Sequence, residues 1–113
     1  MKPPNKKYCF ALDLREDQAA IEAYKTHHQK VWPEILQQLK ETGIRKMEIY
    51  QVGNRLFMIM ETEPEFSLEE KENKDRNNPR VQEWEALMSK YQQRLPFANP
   101  EEKWVLMDQI FKL

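Results

Sequence analysis

Along Tyr8-Cys-Phe-Ala-Leu-Asp-Leu14 the apolar positions alternate, and Tyr8, Phe10, Leu12 and Leu14 share one face. A period of two predicts a strand over residues 7–14. The period then lengthens. Asp17 offers an N-cap, and Ile21, Tyr24, His28 and Val31 or Trp32 fall on one stripe of a helix predicted over Gln18–Lys30. Pro33 suits the first turn of a second helix, Glu34–Glu41, because the N–H it lacks has no partner there anyway. Gly43 closes that helix as a left-handed cap.

Two strand-like runs follow, Ile44–Val52 and Arg55–Thr62, joined by the hairpin signal Gly53-Asn54. The polar stretch Glu65–Asn78 is weakly periodic and predicted partly helical. Pro79 opens a helix predicted to reach Leu95, with Val81, Trp84, Leu87, Met88 and Tyr91 on one side. Pro96 and Pro100 bound a loop, and Lys103–Leu113 reads as a closing strand. The order β-α-β-β-α-β, with its first helix broken at Trp32-Pro33, is the split-βαβ, ferredoxin-like α+β arrangement. Its third strand is apolar on both faces: Leu56, Met58 and Met60 on one, Phe57 and Ile59 on the other. Such a strand needs cover on both sides. The helices can cover one, so the other is expected to meet a second copy of the sheet, giving a homodimer of the dimeric α/β barrel type.

Composition narrows the function classes. The 113 residues suit a single domain, 1–113. With 18 Lys and Arg against 19 Asp and Glu there is no basic excess to neutralise phosphates, so no nucleic-acid partner is expected. The longest strongly apolar run, Leu56–Met60, is far short of the roughly 20 residues a spanning helix needs, so no membrane role is expected. The N-terminus, Met1-Lys-Pro-Pro-Asn-Lys-Lys7, is basic but runs into a strand, not into an apolar leader core. Cys9 is the only cysteine and cannot form an internal disulfide, which agrees with a reducing, cytoplasmic setting.

The histidines, His27 and His28, are adjacent. Tyr24 and His28 are four apart and share the inward stripe, whereas His27 falls on its flank with Ala20 and Ala23 and is expected to be solvated. A Tyr/His pair on an apolar stripe is most often structural. Its functional alternative is an imidazole that exchanges protons with a ligand beside a phenol. Trp84 is either a large core side chain or an apolar platform for the C–H face of a sugar. No metal or cofactor is expected: the two histidines lack a third ligand at a usable spacing, and there is no Gly-rich phosphate loop and no C-x-x-C. The residues alone reach no further than a dimeric α+β domain with a small-ligand site.

Several motifs together are more specific. Tyr24-x-x-x-His28, Val31-Trp-Pro-Glu34, Met47-Glu-Ile-Tyr50, Asn54-Arg-Leu-Phe-Met-Ile-Met-Glu61, Val81-Gln-Glu-Trp84 and Lys103-Trp-Val-Leu-Met107 resemble the L-rhamnose mutarotase family, in order and over nearly the whole chain. Their wording is most similar to its L-fucose mutarotase branch. The resemblance implies a dimer of ferredoxin-like subunits and an isomerase that interconverts the α and β anomers of a 6-deoxyhexose without cofactor or metal. It implies that His28 is the proton-transfer histidine and that Tyr24 contacts the sugar, with Trp84 in the aromatic position of the late helix. Met47 stands where the rhamnose enzymes have a tyrosine, and Glu85 where they have a second Trp, so both join the expected substrate contacts. Asp13, Glu61 and Glu85 are the carboxylates expected to include the second acid/base group, and Asp13 is also counted among the sugar contacts. The rival readings are a cofactor-free or haem-handling oxygenase on the same dimeric barrel and a non-catalytic small-ligand-binding dimer.

Overall fold

The computed structural model describes residues 3–113, so part of the basic N-terminus, Met1 and Lys2, lies outside the described residues. The first strand, β1, spans Lys6–Leu14. Helix α1 (Gln18–His28) follows, its first turn capped by the Asp17 carboxylate, which accepts from the Ala19 N–H at 3.0 Å. A side-chain cap of this kind typically stabilises a helix by about 1 kcal/mol. Pro33 opens α2 (Pro33–Glu41), and Gly43, at φ +99°, turns the chain out of it. Strands β2 (Ile44–Val52) and β3 (Arg55–Thr62) form the hairpin. Gly53 at φ +57° is the one left-handed residue of its turn, the pattern of a type II′ connection.

Helix α3 (Leu68–Arg76), capped by Ser67, occupies the polar stretch, and α4 (Pro79–Ser89) is capped by Asn78, whose Oδ1 accepts from the Arg80 N–H. The helix expected to reach Leu95 therefore stops six residues earlier, at Ser89. Competing bonds end it: the Tyr91 carbonyl accepts from the Arg15 N–H at 2.9 Å, and β4 (Gln92–Gln93) pairs with Asp13–Leu14 of β1. The long closing strand is also corrected. Only β5 (Val105–Leu106) pairs, with Phe10–Ala11, and one further bond joins the Met107 N–H to the Cys9 carbonyl. One edge of β1 is thus completed by two short pieces in succession.

The sheet runs β2-β3-β1, with β4 and β5 sharing the far edge, and every pairing is antiparallel. This is the ferredoxin-like α+β fold, with β1 and β3 central. Leu12 faces Leu56 and Phe10 faces Met58 across the β1–β3 ladder. Leu14 and Leu56 join Tyr24, Ile35, Val81, Trp84 and Met88 in the main core beneath α1, α2 and α4. A second cluster of Ile44, Met60 and Phe66 fills the other end, with Met47 packed against it.

The opposite sheet face carries Cys9, Ala11, Phe57 and Ile59, all half-buried and none of them in either apolar cluster. Beyond β5 the apolar residues Ile110 and Phe111 are 96% and 75% exposed, so the tail finds no cover within its own chain. Among the described residues no helix is long and apolar enough to cross a membrane.

Candidate active site

The site forms where the last turn of α1 meets α4. Tyr24 is buried at the centre of the core, and His28, one turn later, lays its ring against it, with centroids 4.4 Å apart. Trp84 approaches from α4 and meets the His28 ring edge-on at 5.6 Å. Trp32, just before α2, abuts Trp84 at 5.1 Å, and the Arg80 guanidinium caps the Trp32 ring at 3.8 Å. Arg80 is held there by Glu34 and Glu83, at 2.5 and 2.7 Å. Tyr24, His28 and Trp84, three of the residues singled out from sequence, are brought into one cluster.

The protonation state of this cluster follows from its contacts. His28 Nδ1 lies 2.9 Å from the Tyr24 backbone carbonyl. A carbonyl can only accept, so Nδ1 carries the hydrogen and Nε2 of the neutral ring keeps its lone pair. Burial pushes the His28 pKa below 6.5, outweighing the carbonyl contact that favours the charged ring; the neighbouring His27 also lowers it. Burial raises the Tyr24 phenol, opposed by a hydrogen bond from Gln92 Nε2 at 3.4 Å. At neutral pH the cluster therefore pairs a hydrogen-bond-accepting imidazole with a protonated phenol whose oxygen accepts from Gln92. An acceptor for one proton and a donor of another meet in a half-dry, aromatic setting.

The other expected residues lie elsewhere. His27 is not solvated: it is half-buried, its Nε2 is 3.4 Å from the Tyr91 hydroxyl, and its ring meets the Trp84 edge at 6.5 Å. The helical wheel puts His27 on a flank, but α4 and Tyr91 come across that flank as α1 ends. Asp13 is buried on the sheet face away from α1, bound by both oxygens to Arg55 at 2.7 and 3.1 Å, and is not part of the cluster. Glu61 shares that face, 4.0 Å from Lys46. Met47 packs in the second apolar cluster. Glu85 is exposed on α4, near Lys103, whose pKa burial lowers against the opposing charge of Glu85 and whose ammonium donates to Ser89 Oγ at 2.6 Å. Gln92 and Tyr91, by contrast, join the cluster without having been singled out. Their position depends on where α4 ends, and no local pattern announces that.

Two open grooves of about 360 and 490 Å³ flank α2, α3 and α4, lined by polar chains such as Gln38, Glu41 and Asn78. Neither is lined by Tyr24, His28 or Trp84.

The L-rhamnose mutarotase family matches residues 7–113. An L-fucose mutarotase of Xanthomonas campestris is 39% identical over 109 residues, covering 95% of this chain and 87% of that one. The crystal structure of an L-rhamnose mutarotase from Formosa agariphila superimposes with a TM-score of 0.71 at 24% identity, covering 96% and 98% of the two chains. Tetracenomycin F2 cyclase of Streptomyces glaucescens shares the fold, with a TM-score of 0.61 at 16% identity and 96% of each chain covered.

The His28 geometry has a measurable consequence. Because folding lowers its pKa, the unfolded chain binds more protons between the folded value and 6.5. The stability gained from a neutral His28 is complete above that window and is lost as the pH falls through it. Nitrogen-resolved NMR of the imidazoles should show His28 as the Nδ1–H tautomer with a midpoint below 6.5. A midpoint at or above that value, or a neutral ring protonated on Nε2, contradicts the site as described.

Proposed function

The chain belongs to the L-rhamnose mutarotase family, an isomerase of sugar anomers, and from that premise we propose that it interconverts the α and β forms of L-fucose faster than those of L-rhamnose, with His28 moving the proton. The observation that carries the reading is the neutral His28 ring locked by the Tyr24 carbonyl and packed against Tyr24 and Trp84. Preference for L-fucose is supported by the 39% identity to the Xanthomonas L-fucose mutarotase.

The chemistry requires little more. The C1 hydroxyl of the cyclic sugar gives its proton to His28 Nε2 while the bond from C1 to the ring oxygen breaks, leaving an aldehyde. The ring oxygen takes a proton, the C1–C2 bond rotates, and the steps reverse onto the other face. The two oxygens share one carbon, so one imidazole can take a proton from the first and return it to the second. On this reading the Tyr24 phenol donates to a sugar oxygen, and Trp84 supplies an apolar surface for ring C–H bonds and the C6 methyl. A positioned imidazole contributes about 10²–10⁴-fold to such proton transfers.

Saturation-transfer NMR on both sugars, with catalytic amounts of protein and the spontaneous rate subtracted, tests the reading. L-fucose should exchange faster than L-rhamnose at matched concentrations; equal or faster exchange of L-rhamnose returns the chain to the parent specificity. His28→Asn should lower the rate by about 100-fold or more. His27→Asn removes the loose contacts to Tyr91 and to the Trp84 ring and should stay within about tenfold. If the two substitutions exchange these outcomes, His27 is the proton-transfer group.

The same reading includes a homodimer joined through the sheet face of Cys9, Ala11, Phe57 and Ile59, which the helices leave open. Burying it against a second copy removes apolar area from water at about 25 cal/mol per Å². Sedimentation at micromolar concentration should give twice the 13.7 kDa chain mass, and Ile59→Asp should split or unfold the dimer. A monomeric wild type ends this proposal.

A further inference from the structure

Gln92 holds an anomaly at the heart of the cluster. It sits on β4 opposite Leu14, on the helix-covered face of the sheet, and its Nε2 reaches the Tyr24 hydroxyl at 3.4 Å. Its Oε1 is buried and has no hydrogen-bond partner, the one such side-chain atom among the described residues. Exchanging the amide oxygen and nitrogen does not remove the deficit. Oε1 would then accept from the Tyr24 hydroxyl, and an amide N–H₂ would be left buried in its place. Buried polar groups in folded proteins are nearly always paired, so an orphan beside a candidate active site points to a partner that arrives with the ligand.

We propose that Gln92 is a sugar-binding residue, whose buried amide hydrogen-bonds one ring hydroxyl of the substrate next to the Tyr24 phenol. This rests on the mutarotase reading and names a specificity contact within it. A ring hydroxyl both donates and accepts, so it can satisfy the free end of the amide in either orientation. Tyr24 Oη lies at the other end, so the amide bridges the phenol and the sugar. The contact is directional, and a sugar that lacks the hydroxyl, or carries it on the opposite face, leaves the amide unpaired again. Sites built to hydrogen-bond a hydroxyl discriminate strongly against analogues without it. Removing Gln92 takes away a buried orphan together with a long 3.4 Å bond to Tyr24, so the two effects oppose each other and the fold should not weaken.

Gln92→Leu provides the test, with Gln92→Met as a second variant of closer shape. Exchange kinetics on L-fucose, and on analogues that each lack one ring hydroxyl, are compared with thermal unfolding. Both variants should raise KM for L-fucose by about tenfold or more while the unfolding midpoint stays level or rises. Wild type should lose a similar factor on a single deoxy analogue, and on that analogue the variants should lose nothing further, since the contact can be removed only once. A uniform loss on all the sugars, or a lowered unfolding midpoint with unchanged KM, makes Gln92 a structural residue and overturns the proposal. Unchanged KM with unchanged stability means that the orphan holds only a buried water, and overturns it equally. If wild-type protein binds L-fucose, by ligand-observed NMR, without accelerating its exchange, the mutarotase reading falls. The deoxy series read by binding then still decides Gln92.

Discussion

The antiparallel pairing of β1 with β3 is the constraint on which the rest of the molecule depends. The two strands are in register from Lys6–Thr62 to Asp13–Arg55, and the chain next to the turn adds the Leu14 N–H to Asn54 carbonyl bond at 2.6 Å. A slip of β1 by one residue would move Leu12 and Leu14 from the helix side to the open side and bring Asp13 into the core. Two opposed devices prevent it. Leu12 and Leu56 bury their side chains against the helices, and Asp13 and Arg55 close a two-pronged ion pair on the other face. Leu14 then stands under Tyr24 and Trp84, and the end of β1 becomes the edge on which β4 delivers Gln92.

With the sheet face settled, the chemistry of the cluster is mainly a matter of solvent exclusion. Neither Tyr24 nor His28 meets an opposite charge that would stabilise its ionised form, and burial pushes both towards neutrality. The backbone contributes the orientation. The Tyr24 carbonyl lies near the C-terminal end of α1, where the side chain of His28, four residues on, reaches it. An imidazole held in this way has its tautomer fixed by the fold, with the Nε2 lone pair already oriented before any ligand arrives.

Much of this was legible in the sequence, and the failures share a physical origin. Long elements with a clean period, β1, α1, the hairpin and the Trp32-Pro33 break, stand where the pattern places them. The Tyr24–His28 pairing follows from a spacing of four within one helix, the most local kind of contact. The period that defined β1 also put Asp13 opposite Leu12 and Leu14, so its absence from the cluster could have been read from the alternation. Gln92–Gln93 and Val105–Leu106 could not, because two-residue pairings carry no period and exist only through the edge of β1. His27 and Tyr91 meet for the same reason: the end of α4 is set by the Arg15 contact, a long way off in sequence.

The character of the cluster also limits what it can admit. A sugar bearing a carboxylate or phosphate would bring a charge into a site whose own groups are neutral, and burying an unpaired charge is far costlier than burying a hydroxyl. Arg80, the cation stacked on Trp32, is already engaged by Glu34 and Glu83 and is not free to offset it. A 6-deoxyhexose meets the opposite conditions. On the proposed reading its ring C–H bonds and C6 methyl lie against Trp84, and its hydroxyls pair with a phenol, an amide and an imidazole. The proposed reaction asks for no more: both anomers must bind and leave, and tight binding of either would slow the exchange without lowering its barrier.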